Sequence, residues 1–178
     1  MADQQGFTVW FTGLSGTGKS TLAVAVRDEL AVRGRRATIF DGDDIRASLG
    51  EELGFSKKDR DANVRHIGVL ARGLSRRGAV AIVAAISPYR DTRNDVRRQH
   101  DAPFVEVFVD CALEVLIRRD PKGLYAKAIR GELLSFTGIS DPYEPPLSPD
   151  VHVRTDHERV EASLAHIITT LEQLKLIV

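Results

Sequence analysis

The stretch Phe7 to Thr21, FTVWFTGLSGTGKST, restricts what this chain can fold into more than any other part of it. Its alternating apolar and β-branched residues read as a short buried strand. That strand runs straight into Gly13-Leu14-Ser15-Gly16-Thr17-Gly18-Lys19-Ser20, the spacing G-x-x-x-x-G-K-[ST] of a phosphate cradle. Glycine permits backbone conformations that a Cβ opposes, so successive amides can point inward at phosphate oxygens, and the helix that follows adds its unpaired N–H groups and the positive end of its dipole. Lys19 is placed to reach the β- and γ-phosphates as a point charge. The Ser20 hydroxyl is placed to take one coordination position on Mg²⁺. Gly13, Ser15, Gly16, Thr17, Gly18, Lys19, Ser20 and Thr21 are thus the candidate residues for binding ATP. The competing reading, a glycine-rich turn that merely joins a strand to a helix, leaves the lysine and the serine without a purpose.

The remaining chain fits around such a cradle. Its 178 residues suit one domain, here residues 1–178, with length enough for a core. Lys plus Arg and Asp plus Glu both number 25, so no overall field draws the protein to nucleic acid or to a membrane surface, and anion binding must be local. A single cysteine, Cys111, excludes an internal disulfide, and no Cys/His spacing matches a zinc site. No basic start followed by an apolar run and no apolar segment near ~20 residues is present, which makes a cytoplasmic protein the expectation.

Strands and helices alternate. A helix is expected over Lys19–Arg33, with Leu22, Val26 and Leu30 on one face and Gly34 at its end; strands are expected at Ala37–Phe40, Ala79–Ile86, Phe104–Val109 and Val151–Val153. A closing helix starts at Asp156, with Val160, Leu164, Ile168, Leu171 and Leu174 as its buried stripe. Strands separated by helices give a parallel sheet covered on both sides, with ligands beyond the strands' carboxyl ends.

The second strand ends in DGDDIR, Asp41 to Arg46, which puts carboxylates and an arginine at that edge. Phosphoryl transfer needs a group to orient the attacking hydroxyl, and a carboxylate can also hold Mg²⁺ through water; a turn with a helix cap explains the same residues. In the helix Ser56–Arg77 the inward stripe runs Leu74, Leu70, Ile67 and then Asn63 and Arg60, two polar residues in a packing row. They face either a polar ligand or an internal acid such as Asp41 or Asp43. Phe55 before them is a hydrophobic staple or a surface for a base. In Ile86-Ser87-Pro88-Tyr89-Arg90, Ser87 reads most simply as a helix cap, although a hydroxyl at that strand end could touch substrate phosphate. Segment 118–146 carries Arg118, Arg119, Lys122, Lys127 and Arg130 among glycines and prolines and reads as a lid that excludes water, or as a solvated helix with an irregular tail. Phe136 has little in such a loop to pack against except a ligand.

Seven motifs, GLSGTGKST, DGDDIR, GFSKKDRDANVRHIG, ISPYR, VFVDC, RDPKGLY and FTGISDPYEPP, stand in the order and spacing of adenylylsulfate kinases (APS kinases). From Gly6 to about Thr155 the chain resembles that family, most of all the kinase domain that some organisms fuse to ATP sulfurylase. The resemblance implies the three-layer α/β fold of P-loop nucleoside triphosphate hydrolases, with a five-stranded parallel sheet, flanking helices and a lid. It implies transfer of the ATP γ-phosphoryl group, with Mg²⁺, to the 3′-hydroxyl of adenosine 5′-phosphosulfate (APS), giving 3′-phosphoadenosine 5′-phosphosulfate (PAPS) and ADP. On matching residues, Asp43 orients or deprotonates that hydroxyl and organises Mg²⁺ through water, and Lys19 and Lys122 carry charge in catalysis. Arg46, Arg60 and Asn63 grip the phosphosulfate and ribose; Phe55 and Phe136 sandwich the adenine; Ile86, Ser87 and Leu124 complete the substrate pocket. Arg119 meets the adenine of ATP, and Ser87 matches a serine phosphorylated in some members. The family also implies a homodimer and a functional association with ATP sulfurylase. Two other readings stay open. Another small-molecule P-loop kinase, of gluconate or shikimate type, leaves Phe55, Phe136 and DPKGLY unexplained. A non-catalytic APS- or PAPS-sensing domain has no need to keep Lys19, Ser20 and Asp43.

Overall fold

β1 (Phe7–Thr12) is buried on both faces because it lies at the middle of the sheet. Phe7, Val9 and Phe11 point to one side, and Thr8, Trp10 and Thr12 to the other. The computed structural model describes residues 5–49 and 54–178; in those residues five parallel strands stand in the order β2-β3-β1-β4-β5. β2 is Ala37–Asp41, β3 Val80–Ala84, β4 Phe104–Asp110 and β5 Val151–Arg154. The register pairs Phe7 with Val80 and Thr8 with Phe104, so every strand ends at the same edge of the sheet. There the chain changes direction across the sheet, the place where parallel α/β sheets bind ligands.

Helices cover both faces. α1 (Lys19–Val32) and α7 (Val160–Gln173) pack Leu22, Val26, Leu30, Ile167 and Leu171 against Phe7, Val9, Phe11, Val107 and Val151. On the opposite face α3 (Lys57–Ser75) and α4 (Arg90–Gln99) bring Val64, Ile67, Ala71 and Val96 to Trp10, Ala81 and Val83. Gly68 lets these two helices meet, since a Cβ there would lie 2.8 Å from Val96 Cγ1. α2 (Gly42–Ser48), α5 (Leu113–Arg119) and α6 (Leu124–Ile129) are short and surround the strand ends.

Two helices differ from the expectation in their limits or faces. α7 begins at Val160, four residues after Asp156, because Asp156 is held in a turn where its Oδ2 accepts from the Ala112 amide at 3.2 Å. Val160 and Leu174, at the helix ends, are exposed, and Ile167 takes the place in the core. In α3 the most buried row runs Arg60, Val64, Ile67 and Ala71, while Leu70 and Leu74 are half-buried; Arg60 and Asn63 do face inward. The tail of segment 118–146 is no free loop. Glu144 N donates to Pro88 O at 2.8 Å, and Arg93 Nη2 donates to Glu144 O at 2.6 Å. Among the described residues no helix is long and apolar enough to cross a membrane.

Candidate active site

The cradle forms where β1 gives way to α1. Gly13, Gly16 and Gly18 all take positive φ, at 154°, 78° and 98°. At Gly13 a Cβ would lie 2.3 Å from Val109 O, so the loop's first turn requires glycine. Lys19, nearly buried, folds back and donates to Gly13 O at 2.9 Å and Leu14 O at 2.7 Å. Burial lowers its pKa to about 8, against the opposing attraction of Asp43 and Asp41. Two bonds from other elements fix the loop: Tyr125 Oη donates to Ser15 O at 2.7 Å and Thr155 Oγ1 to Thr17 O at 2.8 Å.

A cleft of about 290 Å³ opens beyond the strand ends, between the cradle, α2, the start of α3 and the β3–α4 turn. Ser15, Gly16, Gly18, Lys19, Ser20 and Thr21 line one side. Asp43, Arg46, Phe55, Arg60 and Asn63 line the other, with Ile86, Ser87 and Lys122 at the margin. Asp43 stands on the first turn of α2, and Lys122 Nζ lies 3.4 Å from its Oδ2. The turn-and-cap reading of DGDDIR is met: Asp41 caps α2 by accepting from the Asp43 amide at 2.9 Å, and it also accepts from Ser20 Oγ at 3.0 Å. Asp41 is thus a partner of Ser20 that the sequence reading did not name, though its place at a strand's carboxyl end was the signal for it.

Around Phe55 the site is cationic. The Arg46 and Arg60 guanidinium carbons lie 4.9 Å and 5.6 Å from the centroid of its exposed ring. Burial, and then repulsion by Arg60, lowers the pKa of Arg46, against the opposing attraction of Asp43 and Asp59. Asn63 lines the cleft and donates to Gly42 O at 3.3 Å, and among the described residues its buried Oδ1 has no hydrogen-bond partner. Arg60 does not pair with Asp41 or Asp43. Its acid is Asp141, at 3.3 Å.

Other expected site residues have different surroundings from those the sequence suggested. Ser87 is not a helix cap; Tyr89 occupies that position without a side-chain bond. The Ser87 hydroxyl is buried, accepting from Trp10 Nε1 at 3.1 Å and donating to Ala85 O at 3.3 Å. Phe136 has a partner after all: its ring meets Tyr125 edge-on at 5.1 Å in a small cluster with Cys111 and Leu116, away from the cleft lining. Leu124 opens α6 and is half-buried, also outside the cleft lining. Arg119 belongs to a second opening, of about 440 Å³, on the far side of the cradle with Thr17, Gly18, Thr155 and Glu158; its Nη2 donates to Thr155 O at 3.1 Å.

A cradle at the end of the central parallel strand, flanked by two separate openings, defines a P-loop kinase: one opening suits the nucleotide donor, the other an acceptor. The family model described as adenylylsulphate kinase matches residues 5–154. The chain belongs to that family. It is 52% identical to the adenylyl-sulfate kinase of Chloroflexus aurantiacus over 98% of this chain and 94% of that one. It is 54% identical to a probable bifunctional SAT/APS kinase of Sorangium cellulosum over 95% of this chain but 29% of the longer protein. The Mycobacterium tuberculosis APS kinase, solved in complex with AMPPNP and APS, superposes with a TM-score of 0.89 at 42% identity, over 94% of this chain and 98% of that one.

Proposed function

We infer that this protein is an adenylylsulfate kinase, an ATP-dependent phosphotransferase that phosphorylates the 3′-hydroxyl of APS and releases PAPS and ADP. The observation that carries the reading is the pairing of a formed phosphate cradle with a separate cleft bearing Asp43, two arginines and an exposed Phe55. ATP enters through the Arg119 side with its phosphates on the cradle amides. Lys19 exchanges its carbonyl partners for β- and γ-phosphate oxygens. APS lies across Phe55, with its phosphosulfate toward Arg46 and Arg60, its ribose against Asn63, and Phe136 closing from the lid.

Asp43 then aims the 3′-hydroxyl at the γ-phosphorus and accepts its proton as the new P–O bond forms and the bond to ADP breaks. Lys122, held beside Asp43, answers the charge that develops on the transferred group. The oxygen donors at the cradle's edge fit Mg²⁺: Ser20 would hold it directly, and Asp41 and Asp43 through water. When bound, the ion neutralises charge on the phosphate oxygens.

In this role the protein works in the cytoplasm as a homodimer and consumes the product of ATP sulfurylase. Incubation with MgATP and APS should release ADP and PAPS stoichiometrically, with no turnover of gluconate or shikimate. ADP release with either control and none with APS would overturn the assignment, and binding of both nucleotides without turnover would favour the sensing domain. Light scattering at twice the chain mass tests the dimer.

A further inference from the structure

Segment 118–146 is fastened unevenly. Its beginning is tied to the cradle by Tyr125 Oη and Ser15 O. Its end is bound by Arg93 and Pro88 at Glu144, and by a 2.9 Å bond between Tyr143 and Thr12. Between them, residues 135–141 form a compact turn closed on itself, with Gly138 N donating to Asp141 O and three amides converging on Phe136 O. Among the described residues, every hydrogen bond and ion pair from this turn to the body of the protein goes to one side chain, Arg60.

Arg60 Nη1 donates to Thr137 Oγ1 at 2.7 Å, and Nη2 donates to Ser135 O and lies 3.3 Å from Asp141 Oδ2. Its Nε donates to Phe55 O at 2.9 Å. The same planar group thus holds the carbonyl of Phe55 and the carbonyl of the residue immediately before Phe136. Ser135 sits at φ 63°, a left-handed conformation that a non-glycine residue keeps only when its surroundings impose it. Arg60 and Thr137 are both more than nine-tenths buried, so a donor or acceptor lost here is not replaced by water. Lysine, with no planar fork, could not bridge the same four partners.

We propose that Arg60 is a clasp that sets Phe55 and the Phe136 turn against each other, and that Thr137 and Asp141 act through it as positioning residues for the acceptor nucleotide. The proposal rests on the reading that APS is held between those two phenylalanines. Neither Thr137 nor Asp141 lines the cleft. Their influence is on how far apart the two aromatic walls stand before the acceptor arrives, so it falls on acceptor affinity and leaves the triphosphate site alone.

Thr137→Val removes the acceptor for Nη1 with little change of shape, and Thr137→Ser restores it. With the full chain and MgATP, Thr137→Val should raise the KM for APS about tenfold, the size of one lost bond to a charged group. The KM for ATP and kcat should stay within about twofold, and Thr137→Ser should return APS affinity to the wild-type value. Independently of turnover, amide hydrogen exchange without nucleotide should quicken at residues 138–141 in Thr137→Val and not in Thr137→Ser. Unchanged exchange there, or KM values for ATP and APS that rise together, would overturn the clasp. A wild-type protein that leaves APS untouched would overturn the functional reading instead, and the exchange measurement would still decide whether Arg60 holds the turn.

Discussion

Lys19 donates to two loop carbonyls, partners that a bound triphosphate would replace in the proposed mechanism, and that exchange would make its protonation visible. Burial lowers its pKa from 10.5 to about 8. Below pH 8 the free enzyme holds the ammonium form that phosphate requires; above it the charge is lost, so kcat/KM for ATP should fall as pH rises through about 8. Bound triphosphate favours the cation, so kcat in the complex should hold to higher pH. A kcat/KM that stays flat to pH 9.5 would show that burial does not depress this lysine. Asp43 makes a different prediction. It stands exposed beside Lys122, and Asp43→Asn keeps the shape while removing the carboxylate that the proposed mechanism uses as proton acceptor. A fall in kcat of about 10²-fold or more is expected with ATP affinity nearly intact, in the range of general-base losses; equal losses in both would make Asp43 a binding residue only. At this scale the sequence was most informative where function lies in consecutive residues. The cradle could be read directly because spacing alone defines it. The Ser20–Asp41 and Arg60–Asp141 pairs were harder to read, since their members are 21 and 81 residues apart and only the folded chain brings them together.

The elements that position the site are held by close approach and by one buried ion pair. β4 passes so near Gly13 that the loop's turn and the sheet's register are a single constraint. Gly13→Ala should destabilise the fold by about 2 kcal/mol or more and abolish ATP binding, from the collision with Val109 O and the positive φ together. An unchanged urea midpoint would refute the close approach. Arg93, almost fully buried, donates to Glu106 Oε1 at 3.0 Å, to Ser87 O at 2.7 Å and to Glu144 O, joining β4, the β3–α4 turn and the root of segment 118–146. Arg93→Met leaves Glu106 buried without its cation and should cost about 3–5 kcal/mol, much of it recovered when Glu106→Gln is added. Denaturant unfolding of the single and double variants measures both, and a double variant no more stable than the single one would contradict the ion-pair account. Helix periodicity located α1, α3 and α7 but not their limits. Apolar spacing continues past the point where Asp156 is drawn into a turn, so Val160 and Leu174 were placed in a core they do not reach.

Over the whole molecule, the parallel sheet gathers five strand ends at one edge and leaves an opening on either side of the cradle, one beside Arg119 and one beside Asp43 and Phe55. Nucleotides seated in these two openings, as proposed, would meet over the cradle. Alternating strands and helices made the sheet legible, and seven ordered motifs made the family legible. Burial of Phe136 against Tyr125 was not legible, because nothing local to FTGISDPYEPP reports a ring that arrives from α6. The most direct test of the account is a crystal structure of the protein with AMPPNP and APS bound together. The 3′-oxygen of APS should lie within hydrogen-bonding distance of an Asp43 carboxylate oxygen and in line with the terminal phosphorus, with the adenine against Phe55. A 3′-hydroxyl turned away from that phosphorus, or APS bound outside the cleft between Arg60 and Lys122, would contradict it.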